Sequence, residues 1–291
     1  MRFIPYSLKF ALLATTSIAG VVFAGELPTL AATLSNSEAF LRIDRFNITP
    51  QNPNADSSRE AIAFTGNDDS IADANSDGIL GFVTDENNAF LDLDFNSNSS
   101  GSGSDYFSFG ESSAIASSTF FLDSNETLSF DFSVSLALSN TVDSELDGSV
   151  NSFSEISFAL FDDFNNELLG DFRAIGNLDT NLADGINNDL IFATSNLDFE
   201  ITFFDDERLF GSDLETASID LIGNIQQTVT TPTRLRLEAN SFNLSCTQAI
   251  QTSNPCLKQS VPESNNLVGL VLAFIGIGLF SQKQKRKSVN N

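Results

Sequence analysis

From Leu128 to Leu138 the chain alternates without a break, Leu128, Phe130, Phe132, Val134, Leu136 and Leu138 standing between small or polar residues. Successive side chains of a strand point to opposite faces, so this period of two predicts a strand with one face buried and one in water. The same period recurs at Leu91/Leu93/Phe95, Ile156/Phe158/Leu160, Leu197/Phe199/Ile201/Phe203, Ala217/Ile219/Leu221 and Leu235/Leu237/Ala239. Weaker pieces at Leu41/Ile43, Ile62/Phe64 and Phe107/Phe109 bring the expectation to about nine strands, with turn-rich clusters such as 96–105 and the acidic 140–151 between them. No long amphipathic helix competes. Strands with a single apolar face must bury it against a second sheet, which predicts an all-β, antiparallel β-sandwich or jelly-roll-like domain over residues 33–245. The chain has 28 Phe and no Trp, so Phe is the expected filler between the sheets.

The two ends read differently. Arg2 and Lys9 precede the apolar run from Phe10 to Ala24, which closes on Val22-Phe23-Ala24. Positive charge, then apolar run, then small-residue exit is the order of a secretory signal peptide, placed here at residues 1–24, with cleavage before Gly25 or, second, after Ala31. Residues 265–291 carry the apolar stretch Leu267 to Phe280 and then Lys283, Lys285, Arg286 and Lys287. Fourteen helical residues reach about 21 Å, short of the roughly 30 Å hydrocarbon layer, so this segment spans a membrane only with help from its flanks. The basic cluster would hold its end on the cytoplasmic side and leave the rest of the chain outside.

Val261-Pro262-Glu263, a short hydrophobic stretch and a Lys/Arg cluster together resemble the PEP-CTERM sorting signal of exported bacterial proteins. The resemblance implies an exosortase-type membrane enzyme as processing partner. Ser264 stands in place of the signal's final Pro, which leaves cleavage of the tail open. The block from Thr119 to Asp163 is similar to a group of cyanobacterial PEP-CTERM proteins, a likeness that implies fold and location but no chemistry.

Charge narrows the function. Between residues 25 and 263 the basic residues are Arg42, Arg45, Arg59, Arg173, Arg208, Arg234, Arg236 and Lys258, against all 39 acids of the chain. No Lys or Arg lies between Glu60 and Phe172, so phosphates cannot be neutralised there and nucleic acid is excluded as a partner. The absence of His removes Ser-His and Cys-His nucleophiles and imidazole metal sites. What remains for an enzyme is a carboxylate pair of the glycosidase kind. Without Trp, and with Tyr106 the one Tyr outside the leader, such a site would lack the usual aromatic sugar platforms. The chain is therefore expected not to be an enzyme.

Two candidate sites stand out. Asp73, Asn75 and Asp77, followed by Gly78, place oxygen ligands at every second position, as calcium loops do. The twelfth position, where an EF-hand needs a bidentate acid, is Thr84, so a non-helical calcium loop, with Asp68 or Asp69 as further ligands, is weighed against an Asx-rich turn with no ion. Asp179, Asn181 and Asp184 form a looser second group. Cys246 and Cys256, close together in an exported chain, are expected to form a disulfide within a loop and linker at 246–264; two unpaired thiols are the alternative. Three functions follow: a non-catalytic envelope or extracellular-matrix protein, tethered or released after processing; a calcium-dependent adhesin or carbohydrate-binding module meeting extracellular polysaccharide; and a carboxylate-pair glycosidase.

Overall fold

A computed structural model describes residues 33–84, 89–142, 148–181, 189–196, 199–210, 213–249 and Cys256. The signal peptide, the sorting signal at Val261, Pro262 and Glu263, the apolar tail, its basic cluster and Asp184 lie outside the described residues. Among the described residues no helix is long and apolar enough to cross a membrane.

Twelve strands follow one another: β1 (Thr33–Asp44), β2 (Gln51–Thr65), β3 (Ile71–Val83), β4 (Phe90–Ser102), β5 (Tyr106–Leu122), β6 (Thr127–Thr141), β7 (Ser149–Asp162), β8 (Glu167–Asn181), β9 (Leu190–Ser195), β10 (Phe199–Leu209), β11 (Leu214–Thr228) and β12 (Thr233–Gln248). They form two antiparallel sheets, sheet A in the order β10-β11-β6-β1-β4-β3 and sheet B in the order β2-β5-β12-β7-β8-β9. The sheets pack face to face as a sandwich. β6, the strand expected from Leu128 to Leu138, buries all six of those residues.

Twelve strands stand where about nine were expected, and two of the departures concern where strands end. Residues 96–102, read as turn, continue β4 to Ser102, because Ser97 and Ser99 point inward and Asn96, Asn98 and Ser100 outward in an alternation carried by polar residues. The turn itself is confined to Gly103–Asp105, where Gly103 has φ +92° and a Cβ would meet Ser70. β12 in turn continues through Cys246 to Gln248, so the first cysteine belongs to the sandwich rather than to a linker beginning at 246.

The layer between the sheets changes character along its length. At one end Phe130, Phe132, Phe158 and Phe172 pack ring against ring, with Phe132 and Phe158 centroids 5.0 Å apart, edge to face. Burying one such ring contributes about 2–3 kcal/mol. At the other end most inward positions are Ser, Thr and Asn, set around the buried Tyr106 and Val150. There Ser35 donates to the Asn151 carbonyl at 2.8 Å, Ser37 to the Phe153 carbonyl at 2.6 Å, and Asn243 Nδ2 to the Phe95 carbonyl at 3.1 Å. Gly110, at a close approach of the sheets, would place a Cβ 2.8 Å from the Asn75 carbonyl. Small hydroxyl side chains let the backbones draw together, and their bonds run from sheet to sheet.

Both ends of the domain emerge at this polar side. β1 begins there, and a Cβ on Gly148 would lie within 4 Å of both the Thr33 hydroxyl and the Gln248 carbonyl, in the last residue of β12.

Candidate functional site

The outward face of sheet A gathers the residues singled out in the sequence. β3 is a strand across the whole of Ile71–Val83, so Asp73, Asn75 and Asp77 do not form the loop expected for a calcium site. The same every-second spacing that suggested a ligand loop is the period of a strand, and it sets the three side chains in a row along one face, roughly 6.6 Å apart. They are exposed there.

The register carries that row across the sheet. Asp73 stands opposite Ser100, Asn75 opposite Asn98 and Asp77 opposite Asn96 on β4. Asn98 in turn faces Asn36 on β1, and Asn96 faces Glu38. On β6 the series continues with Ser139, opposite Asn36, and Ser135, opposite Phe40. Directly opposed side chains on neighbouring strands stand about 4.5–5.5 Å apart, so carboxylates, amides and hydroxyls gather in one patch of this face, between the exposed Ile71 and Ile79 of β3.

Local bonds hold parts of this patch. Asp77 Oδ1 accepts from the Gly78 amide at 2.7 Å and from Arg59 Nη1 at 3.1 Å, while Arg59 Nη2 donates to the Gly78 carbonyl at 2.7 Å. Arg59 thus links β2, the edge of sheet B, to β3, the edge of sheet A. Near the apolar end Arg42 donates to Asp44 at 2.9 Å and to Asp92 at 3.1 Å and lies 4.8 Å over the Phe90 ring. Burial pushes the Asp92 carboxyl above the ordinary carboxylate range, against the opposing pull of Arg42. Burial also raises Asp94, and the charge of Asp77 adds to it. That side of the patch therefore holds negative charge at some cost.

The second candidate group falls elsewhere. Asp179 is buried on the outward face of β8, where its backbone amide donates to Asp189 Oδ1 at 2.8 Å, and Asn181 ends the strand. The cysteines do come together: Cys246 and Cys256 are joined, with Cα atoms 5.6 Å apart. Among the described residues no group of three or more His, Cys, Asp or Glu is placed to hold a metal ion.

Sequence reasoning missed Asn96, Asn98 and Ser100, the partners of the Asp73 row, because they lie in a stretch whose polarity reads as turn. Their signal was the alternation Asn-Ser-Asn-Ser-Ser, which is a strand pattern once hydrophobicity is not demanded of the inward face. Compared with protein-family models, with curated proteins and with solved structures, the chain finds no match.

Proposed function

We propose that this chain is a non-catalytic, exported cell-envelope or extracellular-matrix protein that uses the outward face of sheet A as a contact surface for extracellular polysaccharide. The observation that carries this reading is the register of Asp73, Asn75 and Asp77 with Ser100, Asn98 and Asn96. A patch of hydrogen-bonding groups spread across several strands suits an extended hydrated polymer better than a small substrate, which needs a concave site. The basic-then-apolar start, the apolar-then-basic end and the Cys246–Cys256 bond support export to an oxidising compartment. The sorting-signal resemblance adds an exosortase-type enzyme as processing partner and a membrane-anchored state before processing.

Intact mass of the native protein from the envelope fraction tests the first part: a chain beginning at Gly25 or Ala32 is expected, and an uncleaved chain in the cytosol overturns it. Co-sedimentation with the producing cell's exopolysaccharide tests the second. The triple variant Asp73→Ala, Asn75→Ala, Asp77→Ala should lose binding, and unchanged binding removes the face from the proposal.

A second reading, calcium-assisted adhesion, is favoured by the raised Asp94 carboxyl beside Asp77, since a divalent ion would relieve that repulsion. Extracellular modules bind calcium at roughly 0.1–1 mM, so millimolar calcium at matched ionic strength should raise the melting temperature of the parent and not of Asp73→Ala/Asp77→Ala. An equal shift in both would be diffuse screening and would exclude this reading.

A further inference from the structure

The outward face of sheet B is unlike that of sheet A. On its polar half Phe109 stands opposite Cys246, Leu244 opposite Phe153, and Ile175 opposite both Glu155 and Phe192, so apolar side chains run from β5 across β12, β7 and β8 to β9. An outward side chain on a bare sheet is flanked by neighbours but keeps its tip in water. Here Ile175 is 1% exposed and Arg173 4%, whereas Ile62 and Phe64 on the edge strand β2 keep 42% and 50%. Within this apolar cluster, Cys256 is the one described residue that does not belong to a strand of the sheet. One cysteine is too small to cover a surface five strands wide.

We propose that the outward face of sheet B is the docking surface for the chain that follows Cys256, with the apolar stretch Leu267 to Phe280 laid over Phe153, Ile175 and Leu244. The bond to Cys246 fixes the start of that segment on this face. From Leu257 to Asn266 the chain can extend about 33–36 Å. Six strands at roughly 4.8 Å spacing span about 24–29 Å, so the segment reaches any point of the face. The cluster around Phe153, Ile175 and Leu244 and the stretch Leu267 to Phe280 are both apolar, and leaving either in water is unfavourable. Charge agrees as well. Lys283, Lys285, Arg286 and Lys287 end the segment, while Glu60 and Glu111 stand opposite each other on this same face. Burial and the charge of Glu60 push the Glu111 carboxyl up, an imbalance that a neighbouring cation would relieve. The stretch Leu267 to Phe280 is moreover short for a bilayer, so docking on this face is the alternative to its membrane-anchored state.

Carbene footprinting of the full chain, with peptide-level mass spectrometry, tests this. The comparison is a chain ended after Ser260, which keeps every described residue and the disulfide. Labelling of peptides bearing Phe109, Phe153 and Leu244 is expected to rise several-fold in the shortened chain, while peptides bearing Asp73 and Asn98 on sheet A stay constant and report intact folding. The full-length variant Leu272→Asp/Phe274→Asp should show the same rise. Equal labelling in all three overturns the proposal. Protection that grows with protein concentration assigns the face to a second copy, and protection that appears only with phosphatidylglycerol vesicles assigns it to lipid; either result also overturns it.

Discussion

Arg173 holds Glu155 by two hydrogen bonds, Nε to Oε1 at 2.7 Å and Nη2 to Oε2 at 2.9 Å, and both side chains are more than nine-tenths buried. The pair links β7 to β8 on the outward face of sheet B. Removing one partner strands a charge away from water, which costs about 3–5 kcal/mol, whereas replacing both by apolar residues of similar size is often neutral. Arg173→Met should therefore lower the urea midpoint steeply, and Glu155→Leu/Arg173→Met should recover most of the loss. A double variant as weak as the single would show that the pair itself stabilises the fold.

In the polar half of the core, two serines of the same burial should behave oppositely. Ser37 Oγ donates to the Phe153 carbonyl at 2.6 Å and lies 3.1 Å from Asn243 Oδ1, which also accepts from Ser154 Oγ at 2.6 Å, so Ser37→Ala removes a buried bond between the sheets and should cost about 1 kcal/mol. The Ser152 hydroxyl, equally buried, has no hydrogen-bond partner among the described residues, and Ser152→Ala should be neutral or slightly stabilising. Thermal melts of the two variants check the contrast.

Phe158 and Phe203 were alike in the sequence, each part of an alternating run. Phe158 is 1% exposed and touches the rings of Phe130, Phe132 and Phe172, so Phe158→Ala should cost about 3–5 kcal/mol. Phe203 is 48% exposed on the edge strand β10, and Phe203→Ala should cost well under half as much. Equal losses by denaturant titration would contradict the burial difference.

Period two thus specified strands but not which of them have a sheet to pack on. Alternation reports one apolar face, and β6, β7, β11 and β12 bury theirs because each lies inside its sheet. Ile201 and Phe203 carry the same pattern at an edge and stay half in water. The opposite error hid most of β2 and parts of β3, β4 and β8, where inward positions such as Ala61 and Ala63, Ala72 and Ala74, Ser97 and Ser99, and Ala174 and Gly176 give little hydrophobic signal. Of the candidate site, the Asp73, Asn75 and Asp77 row was legible and its geometry was not, since a ligand loop and a strand share the spacing and only the pairing with β4 separates them.

Glu111 and Glu60 give the stability a pH dependence of known sign. Burial first, and then the Glu60 charge, raise the folded-state affinity of Glu111 for a proton, so the folded chain binds protons more tightly than the unfolded one just above the ordinary carboxylate range. Stability from this group is then gained as pH falls through the folded pKa and is complete below the unfolded one. Asp92 and Asp94, also raised chiefly by burial, act in the same direction. Melting temperature should rise between about pH 7 and about pH 5, and Glu111→Gln should reduce that rise. A steeper rise in the variant would refute the assignment.

The Cys246–Cys256 bond closes a short loop onto a central strand of sheet B, with ten residues of sequence separation. Loop-closure entropy gives about 2.5–3 kcal/mol for such a ring. Alkylation of the unreduced native protein should modify neither cysteine, and Cys256→Ser should lose about that amount of stability by urea titration.

Because β1 begins and β12 ends at the same side of the sandwich, a pull on the chain's C-terminus against a load at the far end runs along β12 rather than across it. β12 is paired with β5 over one flank and with β7 over the other for nearly its entire 16 residues. Force in that direction must shear two ladders of hydrogen bonds together instead of opening them one at a time. The strand that leads toward the C-terminus is thus the one placed to bear tension along its own length.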